Sequence, residues 1–276
     1  MPTPERSPFP LAIITDFGDR DHYVGVMKGV IASIAPRANV IDITHGVIAQ
    51  CIVAGALALR ESWRYFPPRT VFLAVVDPGV GTARAPIAIE TRAGARFVGP
   101  DNGLLWLAAN QAGIKRIVKL TSLRHRLTDV SATFHGRDIF APAAAYLWRG
   151  TSISALGPER KSLEQLDLPH PVVSTREVRG EVIYVDGFGN LISNIDRVTV
   201  EQFGARFRHK SLSVRIEGGA ALRILDAYGA APKGVPLAIF GSFGLLEIAV
   251  RDGNAAVYFA GGPGSSVSLT AVAGRT

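Results

Sequence analysis

The sequence lacks several features that would place it in a specialised class of protein. Its 276 residues include one cysteine, Cys51, which excludes an internal disulfide and a cysteine-rich metal cluster. No segment has the roughly 18 consecutive apolar residues that a membrane span needs. The ten N-terminal residues lack the basic and then apolar pattern of a secretory signal. From these absences we expect a cytoplasmic protein with no membrane partner.

The basic charge of the chain is not concentrated in one place. The net charge of +7 would permit binding to a polyanion. However, the arginines are scattered, with no run of five or more basic residues and no interleaving of basic and aromatic residues. This pattern favours a solvated, mildly basic surface, so we expect no nucleic-acid partner.

The signatures of several common enzyme classes are absent as well. The chain contains no G-x-x-x-x-G-K-[ST] loop, no G-x-G-x-x-G fingerprint, no H-E-x-x-H pair and no G-x-S-x-G elbow. The sequence therefore gives no support for phosphate binding by such a loop, for dinucleotide binding, or for hydrolysis by a zinc or a serine enzyme. We expect neither a cofactor nor a metal ion.

The first half of the chain alternates strand and helix patterns. Buried strands are predicted at residues 11–15, 40–43, 70–76, 87–90 and 97–98. Helices are predicted at residues 23–34, 48–62, 104–112 and 140–149. Alternation of this kind predicts an α/β domain whose largely parallel sheet is flanked by helices.

The pattern changes after about residue 160. Residues 166–171 contain two prolines and indicate a linker. Short β-rich runs follow at residues 177–185, 211–216, 236–240, 245–250, 256–259 and 266–272. We therefore predict two domains: an α/β domain at residues 1–168, and a smaller β-barrel-like domain at residues 169–276.

The most informative stretch runs from residue 75 to residue 84. A buried strand leads into Asp77, the chain turns on residues 78–81, and Arg84 follows seven residues after the aspartate. Open α/β sheets build ligand sites at the carboxyl ends of their strands. Either Asp77 and Arg84 act together in such a site, or Asp77 caps the turn and Arg84 is a solvated charge.

Polar residues gather at the ends of other elements too. Asp16 closes the first strand, where it either accepts hydrogen bonds from a ribose diol or caps the next helix. His135 precedes a helix and is a general base, a metal ligand or a cap. Phe188 and Asn190 lie in a glycine turn that either presents a ring and an amide to a planar base or is an ordinary turn.

Taken in order along the chain, six motifs resemble the S-adenosylmethionine (SAM) hydroxide adenosyltransferases, which are hydrolase relatives of the fluorinases and chlorinases. The resemblance extends from about residue 11 to residue 260. The motifs are TDFG at residues 15–18, VDPGVG at 76–81 with Arg84, PDNG at 100–103, FHGRD at 134–138, FGN at 188–190 and SFGLLE at 242–247.

This resemblance implies an α/β domain, a β-barrel-like domain and a homotrimer. The substrate site would lie between the N-terminal domain of one subunit and the C-terminal domain of its neighbour. The implied reaction is displacement at the ribose C5′ of SAM by water or hydroxide, which releases adenosine and methionine.

The resemblance also implies roles for individual residues. The water-activating triad is matched by Asp77, Arg84 and His135, with either Asp77 or His135 as the formal base. The ribose hydroxyls would be held by Asp16. The adenine pocket is matched by Phe188 and Asn190, with Asn254 and Ala255 beside it. The methionine end is assigned to Asp186, Ser242 and Glu247.

Two alternatives stand beside SAM hydrolysis. The halogenases have tyrosine where this chain has Asp77, serine where it has Gly136 and arginine where it has Phe243. An anionic Asp77 would repel a halide and favour water. The other alternative is a non-catalytic protein that binds a nucleoside or SAM, and the retention of all three triad residues speaks against it.

Overall fold

The structure, a computed structural model, describes residues 9–207 and 210–273. The chain divides into two compact units, one ending at Asp167 and the other beginning at Leu168. The sequence places this boundary one residue later. Each unit has its own apolar core. Within the described part of the chain, no helix combines the length and the apolar character needed to cross a membrane.

The N-terminal unit is organised around one sheet. Its strands are β1 (Leu11–Thr15), β2 (Val40–Thr44), β3 (Val71–Val75), β4 (Pro86–Thr91), β5 (Arg96–Pro100), β6 (Ile114–Lys119) and β7 (Glu159–Arg160). Their order in the sheet is β2-β1-β3-β5-β4-β6-β7. The first four of these pair in parallel, and β4, β6 and β7 pair antiparallel. The predicted α/β class is confirmed, and the sheet is mixed because links such as residues 92–95 are too short for a parallel crossover.

Helices flank this sheet. They are α1 (Tyr23–Ile34), α2 (Ile52–Ser62), α3 (Trp106–Gln111) and α4 (Ala141–Trp148), with 3₁₀ turns at Trp63–Tyr65, Leu123–His125 and Ile153–Leu156 and a π-helical turn at Gly136–Phe140. Every residue of β1 and β3 is buried, as expected for strands covered on both faces. Helix α1 has the predicted bounds. Helix α2 begins four residues later than predicted, because Gln50 has a φ of +63°, which a right-handed helix does not contain.

The C-terminal unit is a closed barrel. Its strands are β8 (Val172–Val173), β9 (Glu177–Val185), β10 (Leu191–Asp196), β11 (Lys210–Ile216), β12 (Leu222–Leu225), β13 (Pro236–Phe240), β14 (Leu245–Val250) and β15 (Ser266–Ala273). Seven strands follow the order β10-β14-β13-β12-β11-β15-β9, and pairing of β9 with β10 closes the ring. Strand β8 adds to β9. The predicted β-barrel-like fold is therefore confirmed.

Short helical segments accompany the barrel, and one of them corrects a prediction. They are α5 (Arg197–Gly204), α6 (Ala255–Phe259) and a 3₁₀ turn at Tyr228–Ala230. Residues 256–259 were predicted as a strand from their apolar character, and they lie in α6 instead. The Asn254 side chain accepts a hydrogen bond from the Val257 amide at 2.8 Å, which caps the first turn of this helix.

Candidate functional site

Three motif residues lie just beyond the carboxyl ends of neighbouring parallel strands. Asp16 follows β1, Asp77 lies two residues after β3, and Asn102 lies two residues after β5. Because these strands are adjacent and parallel, their carboxyl ends share one edge of the sheet, where open α/β sheets bind ligands. Asp16 Oδ2 accepts a hydrogen bond from the Gln50 amide at 2.7 Å, which fixes its side chain at this edge.

Asp77, Arg84 and His135 form a contiguous hydrogen-bonded cluster. Arg84 Nε donates to Asp77 Oδ1 at 2.9 Å, and Arg84 Nη2 donates to Asp77 Oδ2. The same Nη2 lies 2.7 Å from His135 Nδ1. The Asp77 and Arg84 side chains are only 5% and 8% exposed. Arg84 is therefore not a solvated surface charge, and the Asp77 carboxylate is used by the arginine rather than by the turn.

The contact with Arg84 fixes the protonation of His135. A guanidinium only donates hydrogen bonds, so His135 Nδ1 must accept and carries no proton. Burial lowers the pKa of His135 and the Arg84 charge lowers it further, against smaller opposing effects of Asp77 and Asp138. The ring is then neutral at pH 7, with its proton on Nε2. The cluster presents a carboxylate, a guanidinium and an imidazole N–H.

One N–H donor of the cluster has no partner in the described part of the chain. Arg84 Nη1 is buried and has no hydrogen-bond partner among residues 9–207 and 210–273. Its guanidinium carbon lies over the ring of Phe140, 5.2 Å from the ring centroid, so an apolar face closes one side. A buried N–H without a partner is costly unless a ligand atom accepts from it. This N–H therefore marks a position for an acceptor atom of a ligand.

The motif at residues 100–103 supports the cluster from the neighbouring strand. Asn102 Nδ2 donates to the Val76 carbonyl at 3.0 Å, and Asn102 Oδ1 accepts from the Leu104 amide at 3.2 Å. The sequence singled out this motif without giving it a role. These contacts fix the peptide group that immediately precedes Asp77.

Three aromatic rings connect the Asp16 loop with the segment that carries His135. The ring of Phe17 lies 5.6 Å from that of Tyr23 and 5.9 Å from that of Phe134, and the last two rings are 5.2 Å apart. Phe17 follows Asp16 in the chain, and Phe134 precedes His135. Tyr23 was not predicted as part of a site, because as the first residue of α1 it has the spacing of an ordinary core position.

The π-helical turn that begins after His135 is anchored by a buried acid. Asp138 is completely buried, and its carboxylate accepts from Arg137 Nε at 2.5 Å and from the Ser131 amide at 2.8 Å. The Phe134 carbonyl accepts from the Arg137 and Asp138 amides, both at 3.2 Å. Wide helical turns of this kind are frequent at functional sites. Here the turn and its buried acid hold the backbone at His135.

In the barrel unit, the loop at residues 186–190 is closed by its own aspartate. Asp186 Oδ1 accepts from the Phe188 and Asn190 amides at 2.9 and 2.8 Å, and Asp186 Oδ2 accepts from Asn190 Nδ2 at 2.9 Å. Asn190 is 6% exposed, whereas Phe188 is 81% exposed. Through these contacts Asp186 fixes the conformation of the loop, and the loop leaves the Phe188 ring exposed.

The residues at the start of α6 lie against this loop. Gly189 has a φ of +82°, and a Cβ at this position would overlap the side-chain amide of Asn254. The Gly189 carbonyl accepts from the Ala256 amide at 2.9 Å. The structure therefore brings Asn254 and the buried Ala255 next to the loop of Phe188 and Asn190, as the sequence predicts.

A cavity of about 970 Å³ opens in the barrel unit. Its volume is in the range of small-molecule sites. The predicted residues that line it are Asp186, Phe188, Asn190, Ser242 and Glu247. The cavity is also lined by Tyr184, Tyr228 and Arg251, which were not predicted because they lie outside the six motifs.

Glu247 is the buried acid of this cavity. It is 5% exposed, and its Oε2 accepts from Tyr228 Oη at 2.9 Å. Burial raises the pKa of Glu247, and the charge of Asp186 adds to this, against the opposing hydrogen bond from Tyr228. Burial and the contact with Glu247 raise the pKa of Tyr228 to about 12, so its hydroxyl is a donor at neutral pH. At Gly241 a Cβ would overlap the Glu247 carboxylate, so the glycine leaves room for it.

The predicted site residues thus fall into two groups, one in each unit. The N-terminal unit holds the cluster of Asp77, Arg84 and His135, with Asp16 at the same edge of the sheet. The C-terminal unit holds the loop and cavity residues, among which Ser242 is exposed. Within the described ranges there is no group of three or more His, Cys, Asp or Glu side chains that could hold a metal ion.

Comparisons with known proteins agree over both units. Residues 11–157 match the SAM hydroxide adenosyltransferase N-terminal domain, and residues 180–268 match the SAM hydroxide adenosyltransferase C-terminal domain. The chain is 40% identical over 255 residues to the "(R)-S-adenosyl-L-methionine hydrolase" of Thermus thermophilus, with 89% of this chain and 93% of the relative covered.

A solved structure and a more distant relative complete the comparison. The crystal structure of an uncharacterized conserved protein from Thermotoga maritima has a TM-score of 0.86 to this chain at 37% identity, and the match covers 94% of this chain and 99% of that one. A fluorinase from an Actinoplanes species is 25% identical over 224 residues, with 72% of this chain and 75% of the fluorinase covered.

Proposed function

The chain belongs to the SAM hydroxide adenosyltransferase family, and from this premise we propose that it hydrolyses SAM to adenosine and methionine. The observation that carries the proposal is the buried cluster of Asp77, Arg84 and His135. Similarity to relatives named (R)-S-adenosyl-L-methionine hydrolase, at 40% and 39% identity, supports it, whereas the fluorinases are more distant. The names of these relatives favour the R sulfonium epimer as the substrate.

The reaction needs an oxygen nucleophile in line with the C5′–S bond of SAM. The sulfonium is already a good leaving group, so the protein mainly has to position water, remove it from bulk solvent and accept a proton from it. As the oxygen bonds to C5′, the C5′–S bond breaks and its electron pair passes to sulfur, which becomes the neutral thioether of methionine. One proton of the water remains on adenosine as the 5′-hydroxyl, and the other passes to the protein.

We assign that second proton to Asp77. His135 Nδ1 accepts from Arg84, and its Nε2 already carries a proton, so the neutral ring has no free lone pair with which to act as a base. Each oxygen of Asp77 accepts from Arg84 and keeps a second lone pair. The buried Nη1 of Arg84 is placed to donate to the oxygen as negative charge develops on it.

The remaining residues bind the rest of the substrate in this proposal. Asp16 holds the ribose hydroxyls. The adenine is bound by Phe188, Asn190, Asn254 and Ala255, and the exposed ring of Phe188 has a free face for stacking on a purine. Asp186, Ser242 and Glu247 serve the methionine end, with Asp186 acting through the loop that it closes.

We also propose a homotrimer, in which the triad of one subunit and the barrel cavity of a neighbouring subunit form one active site. The division of the site residues between the two units supports this. The 81% exposure of Phe188 supports it too, because a ring that stacks on a ligand needs a neighbouring surface that covers the site. Light scattering on the purified protein would measure the oligomeric state. A cytoplasmic location and the absence of a nucleic-acid partner stay predictions from the sequence.

The experiment that tests the reaction uses each sulfonium epimer of SAM in ¹⁸O-labelled water. We expect adenosine and methionine in equal amounts, with the label in the 5′-hydroxyl of adenosine, and faster turnover of the R epimer. Chloride or fluoride in the buffer should yield no 5′-halogenated nucleoside. If neither epimer gives adenosine while adenosine still raises the melting temperature, the chain is a nucleoside-binding protein and the proposal fails.

The pH dependence follows from the lowered pKa of His135. Protonation of Nδ1 would break its hydrogen bond with Arg84 and place two positive charges together, so we expect kcat to fall only below pH 6.5, the usual pKa of histidine. The neutral ring also stabilises the folded protein. This stabilisation is complete above pH 6.5 and is lost as the pH falls towards the lowered pKa of His135. Profiles of kcat and melting temperature from pH 4.5 to 8.5 would measure both effects.

The matched variants for this profile are His135→Asn and His170→Asn. The first should remove the acid limb, because asparagine can accept from Arg84 without titrating. The second changes an exposed histidine and should leave the profile as in the wild type. An acid limb that persists unchanged in His135→Asn would contradict the assignment.

A further inference from the structure

A buried histidine that the proposed reaction does not use lies beside the turn that carries Asp16. His45 directly follows β2, just as Asp16 directly follows β1, and the parallel register of the two strands places Thr44 opposite Ile14. This register brings the His45 ring to Thr15. The histidine is 5% exposed, and a polar side chain buried to this extent normally has specific hydrogen-bond partners.

The ring of His45 connects a buried hydroxyl with an acid at the surface. Its Nδ1 lies 2.9 Å from Thr15 Oγ1, and its Nε2 lies 3.1 Å from Asp42 Oδ1. The second contact is angled too far for a full hydrogen bond and pairs the ring with the carboxylate electrostatically. Lys28 Nζ donates to the other oxygen of Asp42 at 2.6 Å. The carboxylate favours a proton on Nε2, so Nδ1 accepts from the Thr15 hydroxyl.

Thr15 connects this anchor to the turn. Its Oγ1 accepts from the Phe17 amide at 3.3 Å while its hydroxyl donates to His45. The His45 carbonyl accepts from the Gly18 amide at 2.8 Å. Asp16 lies between these contacts, so the backbone on both sides of it is tied to one residue of the neighbouring strand.

The carboxylate of Asp16 keeps one oxygen for a ligand. Its Oδ2 accepts from the Gln50 amide at 2.7 Å, and its Oδ1 has no hydrogen-bond partner within residues 9–207 and 210–273. A group binds its ligand well only where neighbouring hydrogen bonds fix the backbone and the side chain that carry it. The position of Oδ1 therefore depends on the contacts that His45 makes with the turn.

We propose that His45 is a positioning residue for ribose binding, which holds the turn through Thr15 and Gly18 so that Asp16 Oδ1 meets the ribose hydroxyls. The inference rests on the proposed function for the role of Asp16. His45 acts through the turn and not on the reacting atoms. It lies outside the six motifs of the sequence.

The test compares adenosine with 2′,3′-dideoxyadenosine, which keeps the base and lacks both hydroxyls that Asp16 would hold. Dissociation constants are measured by calorimetry for the wild type and for His45→Leu, which fills part of the same space and offers no acceptor. We expect His45→Leu to weaken adenosine binding by about 10-fold, at the lower end of what a hydrogen bond to a charged group contributes. Dideoxyadenosine should bind equally to both proteins.

His45→Asn and His125→Leu are the matched variants. Asparagine places an amide oxygen near the position of Nδ1, so it can still accept from Thr15 and should recover most of the affinity for adenosine. His125 Nδ1 lies 2.8 Å from the Ser122 hydroxyl, which is the same kind of contact in another turn of the unit. His125→Leu should leave both dissociation constants unchanged.

Thr15→Val tests the path of the effect, and it provides the test if His45→Leu does not fold. Valine has a similar shape and lacks the hydroxyl. It should weaken adenosine binding at least as much as His45→Leu does, and the double variant should lose no more than Thr15→Val alone, because both changes remove the same contact. Additive losses would show that the two residues act separately and would overturn the inference.

Two results with His45→Leu would also overturn it. Equal losses for both nucleosides would mean that His45 only supports the fold, and no loss for either would mean that it does not act on the turn. A wild type that binds the two nucleosides with equal affinity would overturn it as well. Failure of the proposed function is a separate result, since it would appear as a wild type that prefers adenosine to dideoxyadenosine and forms no adenosine from SAM.

Discussion

Replacing Asp77 by asparagine is expected to lower kcat by at least about 100-fold, or about 2.7 kcal/mol in the barrier, with a much smaller change in KM. Asparagine has nearly the same size and can accept one hydrogen bond from Arg84, but it cannot take a proton from water. Because we propose that the carboxylate contacts the nucleophile rather than the bound nucleoside, we expect the loss in the chemical step. Adenosine release under saturating SAM would measure it.

The matched control is Asp129→Asn, an identical chemical change at an exposed aspartate of the same unit. It should keep wild-type kcat. Solvent-derived ¹⁸O in adenosine from residual Asp77→Asn turnover would show that the remaining activity is the same reaction. Near-wild-type kcat in Asp77→Asn would remove Asp77 as the base, and the proton acceptor would have to be sought elsewhere.

Replacing Arg84 by methionine is expected to damage both activity and stability. It leaves Asp77 buried without its cationic partner, a change that costs about 3–5 kcal/mol in comparable buried pairs. The 5% exposure of the Asp77 side chain means that water can do little to compensate. It also removes the donor that would stabilise the developing charge on oxygen, so kcat should fall by about 100-fold or more.

The double variant Asp77→Asn/Arg84→Met separates the two effects. With the buried charge gone, it should regain part of the stability that Arg84→Met loses, as measured by the melting temperature. Its kcat should be close to that of the worse single variant, because residues that act as a unit give strongly non-additive losses. Full additivity in kcat, together with no recovery of stability, would mean that the two residues work independently.

Much of the fold was predictable because local pattern and tertiary structure agree. Helix α1 has apolar spacing near 3.6 and no internal proline, and its predicted bounds are those observed. Strands such as β13 and β14 are short apolar runs between glycine turns, and their bounds were also predicted. Helix α6 was predicted as a strand because five apolar residues show no helical period, and its identity depends on the cap by Asn254.

The mixed character of the N-terminal sheet was not predictable in the same way. Strand β6 has the sequence IKRIVK, in which charged and apolar residues do not strictly alternate. It was not predicted as a strand, and it pairs antiparallel with β4. Register between strands depends on which faces become buried, which a single strand does not specify. The order of the strands therefore emerges only from the whole sheet.

The candidate site was predictable to the extent that its residues lie in motifs at element ends. Asp77 and Arg84 are seven residues apart, so the sequence indicates their proximity, whereas the contact of Arg84 with His135 joins residues 51 positions apart. Arg251 and Tyr228 were missed for a similar reason. Their place in the cavity depends on contacts with the backbone carbonyl groups of one turn and with Glu247, and neither contact has a signature in the sequence.

The hydrogen bond from Asn102 to the Val76 carbonyl bears on how firmly Asp77 is held. It ties the backbone before Asp77 to the end of the adjacent strand, while residues 81–83 in the following loop are exposed. A shift of these exposed residues is thereby separated from the position of the backbone that carries Asp77. If Asp77 is the proton acceptor, as we propose, its position is set by two strands of the sheet and not by the surface of the loop.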